Sequence, residues 1–203
     1  MKLYGEDNPA PNPRRVRIFL AEKGLTLAQE RVPLRERAHK ASGFLEKNSL
    51  GQVPVLALDD GSHLSESVSI CRYLEGLHPQ TPLFGVTPKE QATIDMWIRR
   101  IELQLMIPIA NIWRHTHPLT AALLTQFTDF GESNRAHADR AYRWLDADLA
   151  DRGFIAGDSY SMADIIAQTT IDFGQFIGVP IPQDCDAVLA WHARVSDRPS
   201  ASA

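Results

Sequence analysis

The sequence predicts an α/β N-terminal domain followed by an all-α C-terminal domain. Three observations carry this. The first 78 residues order as strand, helix, strand, then strand, strand, helix; Pro79, Pro82, Gly85 and Pro88 punctuate the next stretch; and no strand signal follows residue 87.

Lys2-Leu3-Tyr4 opens the chain as a short strand, and Gly5 to Asn12 is a loop rich in Pro, Asn and Asp. Asn12 before Pro13 reads as an N-cap with proline at the first helical position, leading into Val16, Phe19, Leu20 and Lys23 on one face, with Gly24 as the stop. Thr26 to Val32 returns as a second strand, so this unit gives a parallel pair. His39 to Lys47 is a polar loop with a helical turn around Gly43-Phe44-Leu45. Pro54 then heads the apolar strand Val55 to Leu58, Asp59-Asp60-Gly61-Ser62 is turn chemistry, and His63-Leu64 comes back antiparallel. Ser65 sits where a helix cap belongs, with a helix from Glu66 packing through Ile70, Leu74 and Leu77. These elements make a thioredoxin-like domain over residues 1–78, with 79–87 as linker.

Residues 88–203 form the helical domain. Thr87-Pro88-Lys89-Glu90 supplies a capping box, and Pro108 predicts a kink or break near Met106, because an interior proline removes a hydrogen bond and crowds the turn before it. Leu119 to Arg152 reads as one long helical stretch with Gly153 as its stop. Ser161 and Asp164 have the spacing of reciprocal capping, which makes Asp164 a folding residue, and Asp184 is the expected cap of a last helix through Trp191 to Val195.

A formal charge of -4 argues against a general nucleic-acid binder. No apolar run approaches the roughly 20 residues of a membrane span, and Met1-Lys2-Leu3-Tyr4 runs directly into strand-like sequence, so a soluble, cytoplasmic protein is expected. Cys71 and Cys185 lie far apart with no Cys-x-x-Cys pair, and His115-x-His117 has no matching acidic cluster, so no metal is expected.

The informative stretch is Gly51-Gln52-Val53-Pro54-Val55-Leu56. A cis bond between Val53 and Pro54 is the natural candidate, and it would offer the Val53 N–H and C=O to an extended peptide adding like a strand. The helix starting near Glu66 would aim free N–H groups at the same region, ready for a carboxylate. Together they read as a site for a small, extended, peptide-like anion.

Val53-Pro54 with Glu66-Ser67, preceded by Asn48-Ser49-Leu50-Gly51, resembles the glutathione-binding half of a cytosolic glutathione transferase, of the bacterial theta-like or nu-like kind. The resemblance implies a thioredoxin-like domain joined to a helical one, with glutathione as co-substrate, a hydrophobic electrophile or a disulfide as second substrate, and a homodimer. It places the γ-glutamyl unit on Glu66 and Ser67, the cysteinyl unit on the Val53 backbone beside Pro54, and the glycyl carboxylate near His39 and Lys40, with Gln52 as a further contact. Where theta-like relatives carry a serine before the first helix, this chain has Ala10; two residues on, Asn12 takes the pattern of relatives associated with disulfide reduction. Asn12 is therefore the implied catalytic residue and Tyr4 its rival. Met106, Ile109, Trp113 and His117 are the candidates for holding the electrophile. The alternative is a non-catalytic adaptor that reuses the fold for protein contact.

Overall fold

The computed structural model describes residues 1–7 and 9–203; Asn8, in the predicted opening loop, lies outside the described residues. The chain forms two compact units, Met1–Leu83 with Pro199–Ala203, and Phe84–Arg198.

The first unit is built on strands β1 (Lys2–Gly5), β2 (Ala28–Arg31), β3 (Val55–Ala57) and β4 (His63–Ser65), in the order β2-β1-β3-β4. β1 and β2 are parallel, and both β1/β3 and β3/β4 are antiparallel. Strand alternation divides the side chains. Leu3 and its partner Leu56 are buried with Val16, Phe19, Leu20, Ile70 and Leu74, which come from helices α1 (Pro11–Glu22) and α3 (Ser67–Leu77). Tyr4 and its partner Val55 instead join Val32 and Phe44, the latter from the single helical turn α2 (Ser42–Leu45). β2 and β3 are shorter than the sequence suggests, and β1 and β4 each run one residue longer. β2 covers only Ala28–Arg31, all four exposed, because it is an edge strand with one neighbour.

Two contacts tie the far ends of this unit together. Lys23, at the end of α1, pairs with Glu75 at 2.5 Å and donates to the carbonyls of His78 and Gln80. Pro199–Ser202, a 3₁₀ turn, lies against α1, where Arg14 donates to the Ala201 carbonyl at 2.7 Å and Ser200 donates to Glu22. The sequence assigns these last residues to the helical domain, but the backbone carbonyl that Arg14 engages draws them back to the first unit.

The second unit opens at α4 (Pro88–Ile101) through the expected capping box: the Thr87 hydroxyl accepts from Glu90 N, and the Glu90 carboxylate accepts from Thr87 N. The predicted break before Pro108 is a π-helical turn over Glu102–Met106, where Ile107 N reaches back five residues to Glu102 O before α5 (Ile107–Thr116) begins. The register slip fits a proline without a donor while the chain stays helical. The long helix expected over 119–152 is broken into α6 (Pro118–Ala121) and α7 (Thr128–Leu149). The reason is side-chain competition for backbone carbonyls: Thr120 Oγ1 donates to the carbonyls of Trp113 and His117, and Gln126 Nε2 donates to His117 O, folding the chain back on the end of α5.

Beyond a single bridge between Phe154 and Gly157, α8 (Met162–Phe176) starts at Ser161 as expected. The Asp164 carboxylate accepts from Ser161 N, Ser161 Oγ, Ile155 N and Trp191 Nε1, each at 2.9 Å, which locks α8 to the turn before it and to α9 (Asp186–Ser196). Burial raises its pKa to about 6 against these donors. Asp184 does not cap α9; Cys185 holds that position, and Asp184 is drawn off by Arg143 at 2.6 Å. α5 and α7 approach closely at Gly131, where a Cβ would come within 2.5 Å of Thr116 Cγ2 and 2.9 Å of His115 Cβ. Among the described residues no helix is long and apolar enough to cross a membrane.

Two outcomes follow for stability. Gly131→Ala lowers the unfolding free energy by about 1–3 kcal/mol in urea titrations, because the methyl group overpacks the α5/α7 contact. Since the folded pKa of Asp164 lies above its unfolded value, its proton favours the folded state at low pH, and that contribution is lost as pH rises through about 6. The stability of the wild type relative to Asp164→Asn therefore falls by roughly 2–3 kcal/mol between about pH 4 and pH 7; a flat difference would show that the hydrogen bonds outweigh burial.

Candidate functional site

Sheet register sets the site's position. Tyr4 pairs with Val55 and Val55 with Ser65, so the end of β1, the start of β3 and the end of β4 share one edge row. Gly5 pairs with Arg31, which brings the end of β2 to the same side. The segments that follow or precede these strand ends carry all the predicted site residues: Asn12 after β1, His39 and Lys40 after β2, Gln52, Val53 and Pro54 before β3, and Glu66 and Ser67 after β4.

The approach to β3 is held by polar side chains on backbone. Asn48, buried, donates to Gln52 O at 2.9 Å and accepts from Leu50 N, while Lys40 Nζ donates to the carbonyls of Leu50 and Gly51. Gly51 has φ 57°, and a Cβ there would meet His39 O at 2.6 Å, so the tight path needs a glycine. The Val53–Pro54 peptide is cis, and Pro54 is buried. Val53 packs its side chain against the Val32–Phe44–Val55 cluster, and among the described residues its N–H and C=O enter no hydrogen bond. The Gln52 side chain is exposed.

α3 begins at Ser67, with Glu66 rather than Ser65 at the cap position, because Ser65 is still in the ladder opposite Val55. Glu66 makes the corner at φ 67°, ψ 116°, a conformation that L-residues avoid. Among the described residues no side chain caps this helix, and no acidic residue lies in its first turn, so the N–H groups of Ser67, Val68 and Ser69 are offered outward, with the first ladder bond running from Ile70 N to Glu66 O.

α1 starts two residues before the expected position. Pro11 is its first residue and Ala10 its cap, so Asn12 is inside the first turn and does not cap it. Either proline can open a helix, since the first N–H groups have no partner within it; the sequence offers no means to choose. Pro11 and Pro13 have no N–H, and Arg14 N bonds Ala10 O at 3.4 Å, which among the described residues leaves the Asn12 N–H as the outward donor of this helix end. The Asn12 Oδ1 is buried without a partner among the described residues.

Arg15 is a residue that the sequence reading passed over. It is 1 % exposed, with its Nη1 at 3.5 Å from the Ser67 hydroxyl, so a buried cation stands behind the start of α3. The signal was present in its spacing: Arg15 lies four residues before the buried Phe19, on the stripe that faces the core. Cys71, one turn after Ser67, is buried, and burial pushes its thiol up despite Arg15 nearby. Burial, with Lys40 and Arg37 nearby, pushes the His39 imidazole below its usual range, making it a neutral donor or acceptor near neutral pH. Tyr4 stacks edge-on to Phe44 at 6.4 Å with the ammonium groups of Lys2 and Lys47 each 5.6 Å from its ring, a packing role.

In the second unit, Trp113 and His117 join an aromatic cluster with Phe173 and Phe176, at ring separations of 4.3 Å between Trp113 and His117 and 5.3 Å between Trp113 and Phe173. Ile109 is buried in the core and Met106 is half-buried.

Residues 10–77 match the family model "Glutathione S-transferase, N-terminal domain" and residues 95–194 match "Glutathione S-transferase, C-terminal domain". Glutathione S-transferase 2 of Saccharomyces cerevisiae is 38% identical over 204 residues, covering 98% of this chain and 88% of that protein. Human glutathione S-transferase theta-2 is 30% identical over 191 residues, covering 90% of this chain and 75% of that protein. Among solved structures, Gtt2 of Saccharomyces cerevisiae superposes with a TM-score of 0.94 at 36% identity, over 100% of this chain and 99% of that one. A glutathione S-transferase domain-containing protein of Marinobacter aquaeolei gives a TM-score of 0.94 at 39% identity, over 98% and 99% of the two chains.

The corner at Glu66 generates a test independent of any ligand. Glu66→Gly removes the side chain that opposes the positive φ, and the unfolding free energy rises by up to about 1 kcal/mol in urea, net of the extra freedom glycine gives the unfolded chain; a loss of stability would show that the corner is unstrained.

Proposed function

The chain belongs to the glutathione S-transferase family and is a glutathione transferase, and we propose that it holds glutathione along the edge row described above and raises its thiolate with Asn12. The observation that carries this reading is the pairing of an unengaged Val53 backbone with the uncapped start of α3. An extended tripeptide adds to the Val53 N–H and C=O through its cysteinyl unit, as a short strand does. Its γ-glutamyl carboxylate takes the N–H groups at Ser67 to Ser69 with the Ser67 hydroxyl, and its ammonium takes the Glu66 carboxylate. Lys40 spends two donors on Leu50 and Gly51 and keeps a third, which with His39 and Gln52 meets the glycyl carboxylate. Pro54 shapes the approach.

The chemical demand is modest in size. A thiol of pKa about 8.5 becomes half ionised at pH 7 if the protein stabilises its thiolate by roughly 2 kcal/mol. One charge-assisted hydrogen bond supplies about 1.5–3 kcal/mol, and the positive end of α1 adds to it. The Asn12 N–H, with the side-chain amide beside it, supports that role, whereas Ala10 has no hydroxyl to offer and Tyr4 is engaged by Phe44 and two lysines. The thiolate then attacks an electrophilic carbon and displaces its leaving group, or attacks a disulfide sulfur and releases the other thiol. The Pro11-Asn12 pair supports the disulfide reaction as a second activity of the same site, and a nu-like or theta-like grouping. The 30% identity to human theta-2 supports the theta-like side of that grouping.

Residues 1–78 form the glutathione-binding domain of this reading, 79–87 the linker and 88–203 the helical domain. The protein acts as a cytoplasmic homodimer on a small hydrophobic electrophile or disulfide, with no metal, nucleic acid or membrane required. A non-catalytic adaptor is not favoured, because the relatives named above are themselves transferases.

Retention on immobilised glutathione, with assays against an aromatic halide and hydroxyethyl disulfide, tests the reading as a whole. Asn12→Ala lowers kcat by about 10- to 100-fold in the more active of the two assays, with the Kd for glutathione changed less than about threefold. Unchanged kcat removes the Asn12 side chain from the mechanism and leaves the role to its backbone N–H.

A further inference from the structure

The geometry points to Arg15 as a positioning residue that aims the Ser67 hydroxyl at the α-carboxylate of the γ-glutamyl unit and backs that carboxylate with buried positive charge. This rests on the glutathione reading above and adds to it a residue that never touches the ligand. Three observations combine. Arg15 is 1 % exposed, an expensive place for a guanidinium, whose desolvation costs several kcal/mol. Its Nη1 lies 3.5 Å from Ser67 Oγ, joining the first turns of α1 and α3. Neither helix has an acidic residue in its first turn, so the cation adds to the positive helix end instead of cancelling it.

Hydrogen-bond arithmetic then fixes the direction of the hydroxyl. Serine has one proton and two lone pairs, and arginine has donors only. Facing Arg15, Ser67 can present only a lone pair, so its proton turns away from Arg15 and is left to donate to an acceptor. A carboxylate seated at the start of α3 meets the hydroxyl as a donor together with the backbone N–H groups. At 3.5 Å the Arg15 contact is long, so its weight lies in charge and orientation more than in the bond itself.

Isothermal titration with two ligands separates this role from that of a mere tether between α1 and α3. The first ligand is glutathione. The second is 4-aminobutanoyl-cysteinyl-glycine, which keeps the amine, thiol and glycyl carboxylate but lacks the carboxylate in question. Arg15→Met weakens glutathione by about 10- to 50-fold and the analogue less than about threefold; Arg15→Lys, which keeps the charge without the fork, loses less glutathione affinity than Arg15→Met. Ser67→Ala on top of Arg15→Met costs little more than the larger single loss, because the two act as one unit. Each ratio of the two Kd values comes from one preparation and does not depend on the active fraction, and Arg15→Lys carries the test if Arg15→Met folds poorly. Equal losses for both ligands make Arg15 a tether and overturn the inference. A wild type that binds glutathione but does not prefer it over the analogue overturns it too, and one that fails to bind glutathione removes the site reading itself.

Discussion

An α-helix cannot pair its own first N–H groups, and this chain directs two such helix ends toward one edge row of a four-stranded sheet. The rest of the first unit serves that arrangement. β1 must run antiparallel to β3, and β3 to β4, so that chain leaving β1, entering β3 and leaving β4 meets on the same side. Phe44 and Val32 cover one face and the α1/α3 layer covers the other, which fixes the strands without using their ends. Val53 completes the set as a backbone donor and acceptor outside the ladder. Electrostatics follow the same logic: acidic residues are absent from both first turns, and a buried arginine stands close behind them.

The fold was readable from the sequence because its signals are local. Thr87 with Glu90 and Ser161 with Asp164 are three residues apart, and each pair closes the hydrogen bonds its spacing announces. Pro108 forces its effect on the turn that precedes it. What misled the reading is decided by partners distant in sequence or by near-equal local choices. Asn12 lies between two prolines, either of which can open a helix, and the difference between them is two residues of register. Asp184 looks like a cap until Arg143, 41 positions away, takes its carboxylate. The 119–152 stretch keeps helical composition throughout, but Thr120 and Gln126 spend their side chains on the carbonyls at the end of α5.

The site divides in the same way. Pro54 and the glycine at 51 each answer a backbone problem that only a few residue types solve, whereas Glu66 is placed by resemblance and its positive-φ corner has no sequence signal. Arg15 is hidden because arginine in a helix is ordinarily a surface residue, and only the packing of α1 on α3 turns it inward. Lys40 and His39 were located by resemblance alone. In the structure they do different things, one fastening the loop through carbonyls and the other held uncharged by its surroundings.

The return of Pro199–Ala203 to the first unit bears on how the chain is made. On the ribosome the residues Met1–Leu83 emerge before the helical unit and can form the sheet and its helices, but the contact of α1 with Pro199–Ala203 cannot form until the helical unit between them has been synthesised. Arg14 and Glu22 wait for Ala201 and Ser200 across that interval. The first unit is thus begun before the helical one and completed after it, and the Ala10-to-Arg15 turn that carries the proposed chemistry adjoins a seam that closes only once the helical unit has been made.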